Sequence, residues 1–129
     1  TTKAFKYDFS NNPDIAPTVM VTCAALGITG TFTGINHLRL KESDRIEGLT
    51  AELAKIGARL TKSGSSFVLT PGKALDSVSE VDFDTYNDHR MAMSFAPLSL
   101  LIDTVKINNP GVVRKSYPGF WKDLNTFGI

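Results

Sequence analysis

Asp8-Phe9-Ser10-Asn11-Asn12-Pro13-Asp14 and Asp82-Phe83-Asp84-Thr85-Tyr86-Asn87-Asp88 are one layout met twice, at an offset of 74 positions that carries Asp14 onto Asp88. Each opens with an acid and a phenylalanine at the end of a strand-like run. Each closes on an acid where a small-residue helical pattern begins. The same offset carries Ile28-Thr29 onto Ile102-Asp103 and Lys41 onto Lys115. Sequence identity between the copies is slight, but matching elements and matching charges together argue for an internal repeat. The chain reads as an α/β (α+β) protein built from two copies of one unit, about 1–80 and 81–129, the first extended by a helix and a hairpin.

The elements follow from periodicity and punctuation. Residues 4–9 alternate and predict a strand, and Ser10-Asn11-Asn12-Pro13 a turn. A helix is expected over 15–26, with Pro17 tolerated in its first turn and Gly27 as its stop. Residues 29–35 read as a strand. Lys41 and Glu42 then fall in a loop, with Ser43 as the expected N-cap of a helix that places Ile46, Leu49, Leu53 and Ile56 on one face. Residues 59–62 and 67–70 flank Ser63-Gly64-Ser65-Ser66 as a hairpin. After a connection over 71–79 come a short strand at 81–83, a helix over 88–101 and a strand at 105–108. The turn Asn109-Pro110-Gly111 and a last helix from about Pro118 complete the chain.

Composition narrows the class. With 129 residues, 42% hydrophobic and 21% charged, the chain has the make-up of a globular domain with a real core. A formal net charge of +1, without long runs of either sign, gives no electrostatic footprint for nucleic acid or an anionic membrane. No apolar run approaches the roughly 20 residues of a membrane span, and no signal peptide is visible. Cys23 is the single cysteine, so there is neither a disulfide framework nor a metal pattern; it reads as a buried, inert thiol, and a cytoplasmic protein fits. The chain begins Thr1-Thr2-Lys3 without an initiator Met, as a piece of a longer protein would.

Two stretches carry the chemistry: Leu38-Arg39-Leu40-Lys41-Glu42-Ser43-Asp44-Arg45-Ile46 and Tyr86-Asn87-Asp88-His89-Arg90-Met91-Ala92-Met93. Both group acids and bases at the mouth of an apolar-periodic helix, where backbone N–H groups and the helix dipole favour anions. Arg45 and Arg90 each fall in a first turn, where a cation opposes the dipole, so an anionic partner or a structural salt bridge must explain them. By residue type alone Asp14 is an N-cap, the Lys41-Glu42 pair is a solvated surface dipeptide, and Met91, Met93, Phe95, Phe120 and Trp121 are core packing.

With Asn12-Pro13-Asp14 and Arg114-Lys115-Ser116-Tyr117-Pro118, these motifs resemble the signature regions of the 5-enolpyruvylshikimate-3-phosphate synthase family, over about residue 7 to the last. The resemblance implies a fold of tandem β-α-β-α-β-β units, three to each of two domains, with the active site in the cleft between domains. It makes this chain (1–129) the C-terminal part of one domain, two units out of three, whose partners are the missing N-terminal part of the same enzyme and two small molecules, shikimate 3-phosphate and phosphoenolpyruvate. No metal or organic cofactor is implied, and neither nucleic acid nor membrane.

The resemblance also implies roles. Asp14 contacts the 5-hydroxyl of shikimate 3-phosphate and accepts its proton; Lys41 lies between the substrates; Glu42 protonates the methylene carbon of phosphoenolpyruvate. That last task needs a carboxyl kept protonated near neutral pH. Arg45, Arg90 and Lys115 hold phosphoenolpyruvate, the planar guanidinium fork matching carboxylate and phosphate. Asp88, His89 and His37 are supporting candidates: Asp88 as an N-cap that orients cations, His89 as a proton shuttle or a hydrogen-bonded structural histidine. His37 departs from the family pattern, in which an asparagine near this spot contacts the shikimate ring, and that contact stays open. Two other functions compete: the related transferase acting on UDP-N-acetylglucosamine, and a non-catalytic α/β repeat module. The Lys-Glu-Ser-Asp-Arg and Asn-Asp-His-Arg-Met-Ala-Met strings favour the shikimate enzyme.

Overall fold

The computed structural model describes residues 4–35, 44–72, 78–114 and 116–125, and these form six short strands interspersed with four α-helices. Strand β1 (Ala4–Asp8) runs parallel to β2 (Thr29–Thr33), a pairing that requires a crossover, and helix α1 (Ala16–Leu26) supplies it. After α2 (Arg45–Ala54), β3 (Arg59–Ser63) and β4 (Ser66–Thr70) form an antiparallel hairpin that adds to β2, giving the order β1-β2-β4-β3. The hairpin loop is Gly64-Ser65, and Gly64 takes the left-handed φ of 61° that a two-residue turn demands.

The second sheet repeats the opening of the first. Strand β5 (Glu80–Phe83) runs parallel to β6 (Thr104–Ile107), with α3 (His89–Phe95) and a 3-10 turn (Ala96–Leu100) in the crossover. Partners are 25 residues apart in β1–β2 (Ala4 with Thr29) and 24 apart in β5–β6 (Glu80 with Thr104). The repeat thus holds in topology with a one-residue slip. A further 3-10 turn (Pro110–Val113) and α4 (Phe120–Asn125) end the described chain.

The core lies where α1, α2 and α3 pack on one another and on the first sheet, filled by Phe9, Met20, Phe32, Leu49, Leu69 and Phe95. Thr18 and Ser94 hydroxyls meet at 3.1 Å between α1 and α3. Each fully buried Phe or Leu contributes about 1.5–3 kcal/mol, so this cluster is what holds the helix mouths in place. Cys23 is buried in it, and burial pushes its thiol above the usual range, consistent with an inert side chain. Among the described residues no helix is long and apolar enough to cross a membrane.

Three expectations need correction. The helix expected over 88–101 is α-helical only to Phe95, because Pro97 has no N–H to donate and its ring crowds the preceding turn; the chain tightens to 3-10 instead. The N-cap of α2 is Asp44, whose carboxylate accepts from the Glu47 N–H at 3.0 Å; Ser43, expected there, lies outside the described residues. Asp14 is not a cap: it sits within a 3-10 turn (Pro13–Ile15), and the residue in the cap position of α1 is Ile15. The strand expected over 4–9 is present as β1, an edge strand exposed along its whole length.

Candidate functional site

Arg45 is the first residue of α2, and the same periodicity that buries Leu49 and Leu53 turns its side chain inward, leaving it 2% exposed. A buried guanidinium requires compensation. Asp88 provides it: Arg45 Nε donates to Asp88 Oδ2 at 2.8 Å and a terminal nitrogen donates to Oδ1 at 3.2 Å, the two-pronged geometry that suits a planar fork. The other terminal nitrogen donates to Asp14 Oδ1 at 3.2 Å. Asp14 and Asp88, the acids equivalent under the repeat, therefore meet on one guanidinium.

Asp88 performs a second task. Fully buried, it caps α3 by accepting the Arg90 N–H at 3.0 Å, so one carboxylate fixes both the start of α3 and the start of α2. Arg90 and His89 occupy the first turn of α3 and are half-buried. Among the described residues the Arg90 guanidinium has no hydrogen-bond or ion-pair partner. Asp14 differs from Asp88 in being half exposed. A polar cleft of about 330 Å³ opens beside this loop, lined by Asn87, Asn109, Gly111, Val112 and Arg114.

The charge count decides what such a site can hold. Among the described residues, one arginine between two aspartates sums to −1, a balance that by itself repels an anion. Only additional cations reverse the sign, and Arg90 is the nearest in sequence to Asp88. The other expected cations, Lys41 and Lys115, lie outside the described residues, as do Glu42 and His37. Thus the structure brings together Asp14, Arg45, Asp88 and the backbone of Arg90.

Sequence reading missed Glu52, Lys55 and Tyr86. Glu52 is 2% exposed and lies seven residues after Arg45, hence on the same helix face. Its signal was available: an acid within an apolar stripe, between Leu49 and Ile56.

This architecture defines an α/β repeat module with an acid–arginine–acid cluster at converging helix mouths. A family model, EPSP synthase (3-phosphoshikimate 1-carboxyvinyltransferase), matches residues 1–124. The chain is 44% identical over 122 residues to a 3-phosphoshikimate 1-carboxyvinyltransferase of Bacteroides fragilis, and 38% identical over 128 residues to one of Methanoculleus marisnigri. Those alignments cover 95% and 98% of this chain and 30% and 29% of the relatives. The solved EPSP synthase of Acinetobacter baumannii superposes with a TM-score of 0.69 at 28% identity, covering 85% of this chain and 26% of that one. The chain belongs to the EPSP synthase family. It spans about 30% of the length of the curated relatives it matches.

Proposed function

We propose that this chain supplies one wall of a 3-phosphoshikimate 1-carboxyvinyltransferase, which moves the enolpyruvyl group of phosphoenolpyruvate to the 5-hydroxyl of shikimate 3-phosphate and releases phosphate. One observation carries the reading. Arg45 gathers two acids from equivalent places in the repeat, while Arg90 stands beside them, its N–H on Asp88 and its guanidinium without a hydrogen-bond or ion-pair partner among the described residues. Asp14, half exposed, accepts the proton of the 5-hydroxyl as its oxygen adds to C2 of phosphoenolpyruvate. Glu42 delivers a proton to C3, giving a tetrahedral intermediate. Loss of that proton and departure of phosphate leave the enol ether. Lys41 lies between the substrates, and Arg45, Arg90 and Lys115 hold phosphoenolpyruvate; Asp88 fixes Arg45 and the start of α3, with His89 and His37 in support.

Positioning and electrostatics supply the catalysis in this reading. The two units, about 1–80 and 81–129, form part of one domain. The opposite wall comes from the remaining length seen in the relatives, so the 129 residues alone are inactive. A cytoplasmic location belongs to the same proposal, with the lone, unpaired and buried Cys23 in its favour.

The test is steady-state turnover by the protein carrying this chain at the full length of its relatives, offered phosphoenolpyruvate with each acceptor. Phosphate release with shikimate 3-phosphate is expected. Turnover with UDP-N-acetylglucosamine instead identifies the related transferase; turnover with neither leaves the non-catalytic repeat module.

A further inference from the structure

Glu52 is a buried carboxylate that the proposed chemistry leaves unused. Its Oε1 accepts from Lys55 Nζ at 2.6 Å and from the Asp84 backbone N–H at 2.7 Å, and its Oε2 accepts from the Tyr86 hydroxyl at 2.6 Å. Lys55 Nζ donates in addition to the Asp82 carbonyl at 2.7 Å. Apart from the Lys55–Glu52 bond, which closes the end of α2 on itself, these bonds run from α2 and its C-terminal cap to one segment, residues 82–86, which leads into Asp88.

That segment is held in an unfavourable conformation. Tyr86 and Asn87 have φ of 54° and 56°, left-handed values that residues with a Cβ rarely adopt and keep only when their surroundings enforce them. The enforcement comes from two sides. On one, α2 supplies Glu52, and Gly48 lets the helix come close to the Tyr86 ring: a Cβ there would stand 3.3 Å from Tyr86 Cδ2. On the other, Thr85 Oγ1 donates to the Asn108 carbonyl at 2.9 Å and Asn109 Nδ2 donates to Asn87 Oδ1 at 2.7 Å. Helix α2 therefore grips the loop twice, through Arg45 on Asp88 and, two turns later, through Glu52 on Tyr86 and Asp84.

We propose that Glu52, with Tyr86 and Lys55, forms a positioning cluster that fixes the loop at 84–87 so that Asp88 and Arg90 stand where phosphoenolpyruvate binds. The ligand in this statement rests on the function proposed above; the fixing of the loop does not. Burial first, and the Glu52 carboxylate second, push the Tyr86 phenol above its usual range, so the hydroxyl remains a donor at any pH the protein meets.

The test has two arms in the full-length protein, with Glu52→Ala, Glu52→Gln and Tyr86→Phe. The first reads amide hydrogen exchange at Arg90, whose N–H bonds Asp88, against Leu69 in β4. Glu52→Ala is expected to speed exchange at Arg90 about tenfold or more with Leu69 unchanged. Glu52→Gln is expected to stay near wild type, because its amide oxygen still accepts from Asp84 and its NH₂ can donate to the phenol oxygen. The second arm reads kinetics. Glu52→Ala is expected to raise KM for phosphoenolpyruvate about tenfold, the usual scale for losing a support of a ligand-holding group, with KM for shikimate 3-phosphate within about twofold. Tyr86→Phe should move both readings in the same direction by less. If Arg90 exchange and both KM values stay unchanged while only the melting temperature falls, Glu52 is ordinary stabilisation and the proposal is overturned. Should Glu52→Ala fail to fold, Tyr86→Phe decides on the same two readings. A wild-type protein without turnover removes the proposed reaction, and the exchange arm then decides the positioning by itself.

Discussion

Asp88→Asn keeps the size of the side chain and its capping oxygen and removes its charge. The Arg90 N–H still finds an acceptor, so α3 keeps its start. Arg45, 2% exposed, loses the carboxylate that it held at 2.8 and 3.2 Å and retains Asp14 at 3.2 Å. Removing one member of a buried ion pair costs about 3–5 kcal/mol, because the other charge stays desolvated. The surviving contact to Asp14 sets the expected loss at the low end, about 3 kcal/mol, which is roughly a hundredfold in the folding equilibrium. Asp14→Asn is the internal control. That carboxylate is half exposed and touches Arg45 once, so solvent screening holds its loss to about 1 kcal/mol or less. Urea unfolding read by circular dichroism and by Trp121 fluorescence measures both. A loss below about 1 kcal/mol for Asp88→Asn, or equal losses for the two variants, would refute the reasoning that burial of the pair sets the magnitude.

Three further outcomes are expected. Asp14→Asn and Glu42→Gln in the full-length protein should lower kcat by about 10²–10⁴-fold, and near-normal kcat removes either residue from the proton-transfer pair. The 129-residue chain alone should release no phosphate from shikimate 3-phosphate and phosphoenolpyruvate above background, since well-oriented reactants account for on the order of 7–11 kcal/mol and the proposed site has its second wall outside this chain; enzyme-like rates from the chain alone sink the two-walled site. In an absorbance titration of phenolate, Tyr86 should ionise above the ordinary value of 10.0, and Tyr86→Phe should delete that late step. The linked stability is fully present below pH 10 and declines as pH rises towards the folded value, because there the folded state holds a proton that the unfolded state has released. A late step unchanged by the substitution assigns it to another phenol.

The order of elements was legible because each has a local cause: alternation for β4, a 3.6-residue period for α2, Gly27 and Pro13 as punctuation. The misreadings also have local causes. A helix period continues past Phe95 into Leu98 and Ile102, so only Pro97 marked the change to 3-10. The alternation of β1 marked it as a strand but could not say how exposed it would be, because burial depends on what covers a face, and that is not a local property. The described part of the candidate cluster, Arg45 with Asp88, was readable from charges at helix starts, and Asp14 with Asp88 from the repeat. That both acids meet Arg45 was not, because it depends on how α2 packs against α1 and α3. Glu52 was missed because attention to helix mouths passed over an acid two turns further along the same buried face.

The binding of phosphoenolpyruvate by Arg90 is tested most directly by the steady-state KM values of Arg90→Lys in the full-length protein. The charge survives this substitution while the planar fork is lost. The expected result is a raised KM for phosphoenolpyruvate with much less change for shikimate 3-phosphate and an unchanged melting temperature. Equal weakening of both substrates, or a lowered melting temperature with unchanged KM values, would contradict it and return Arg90 to a structural role.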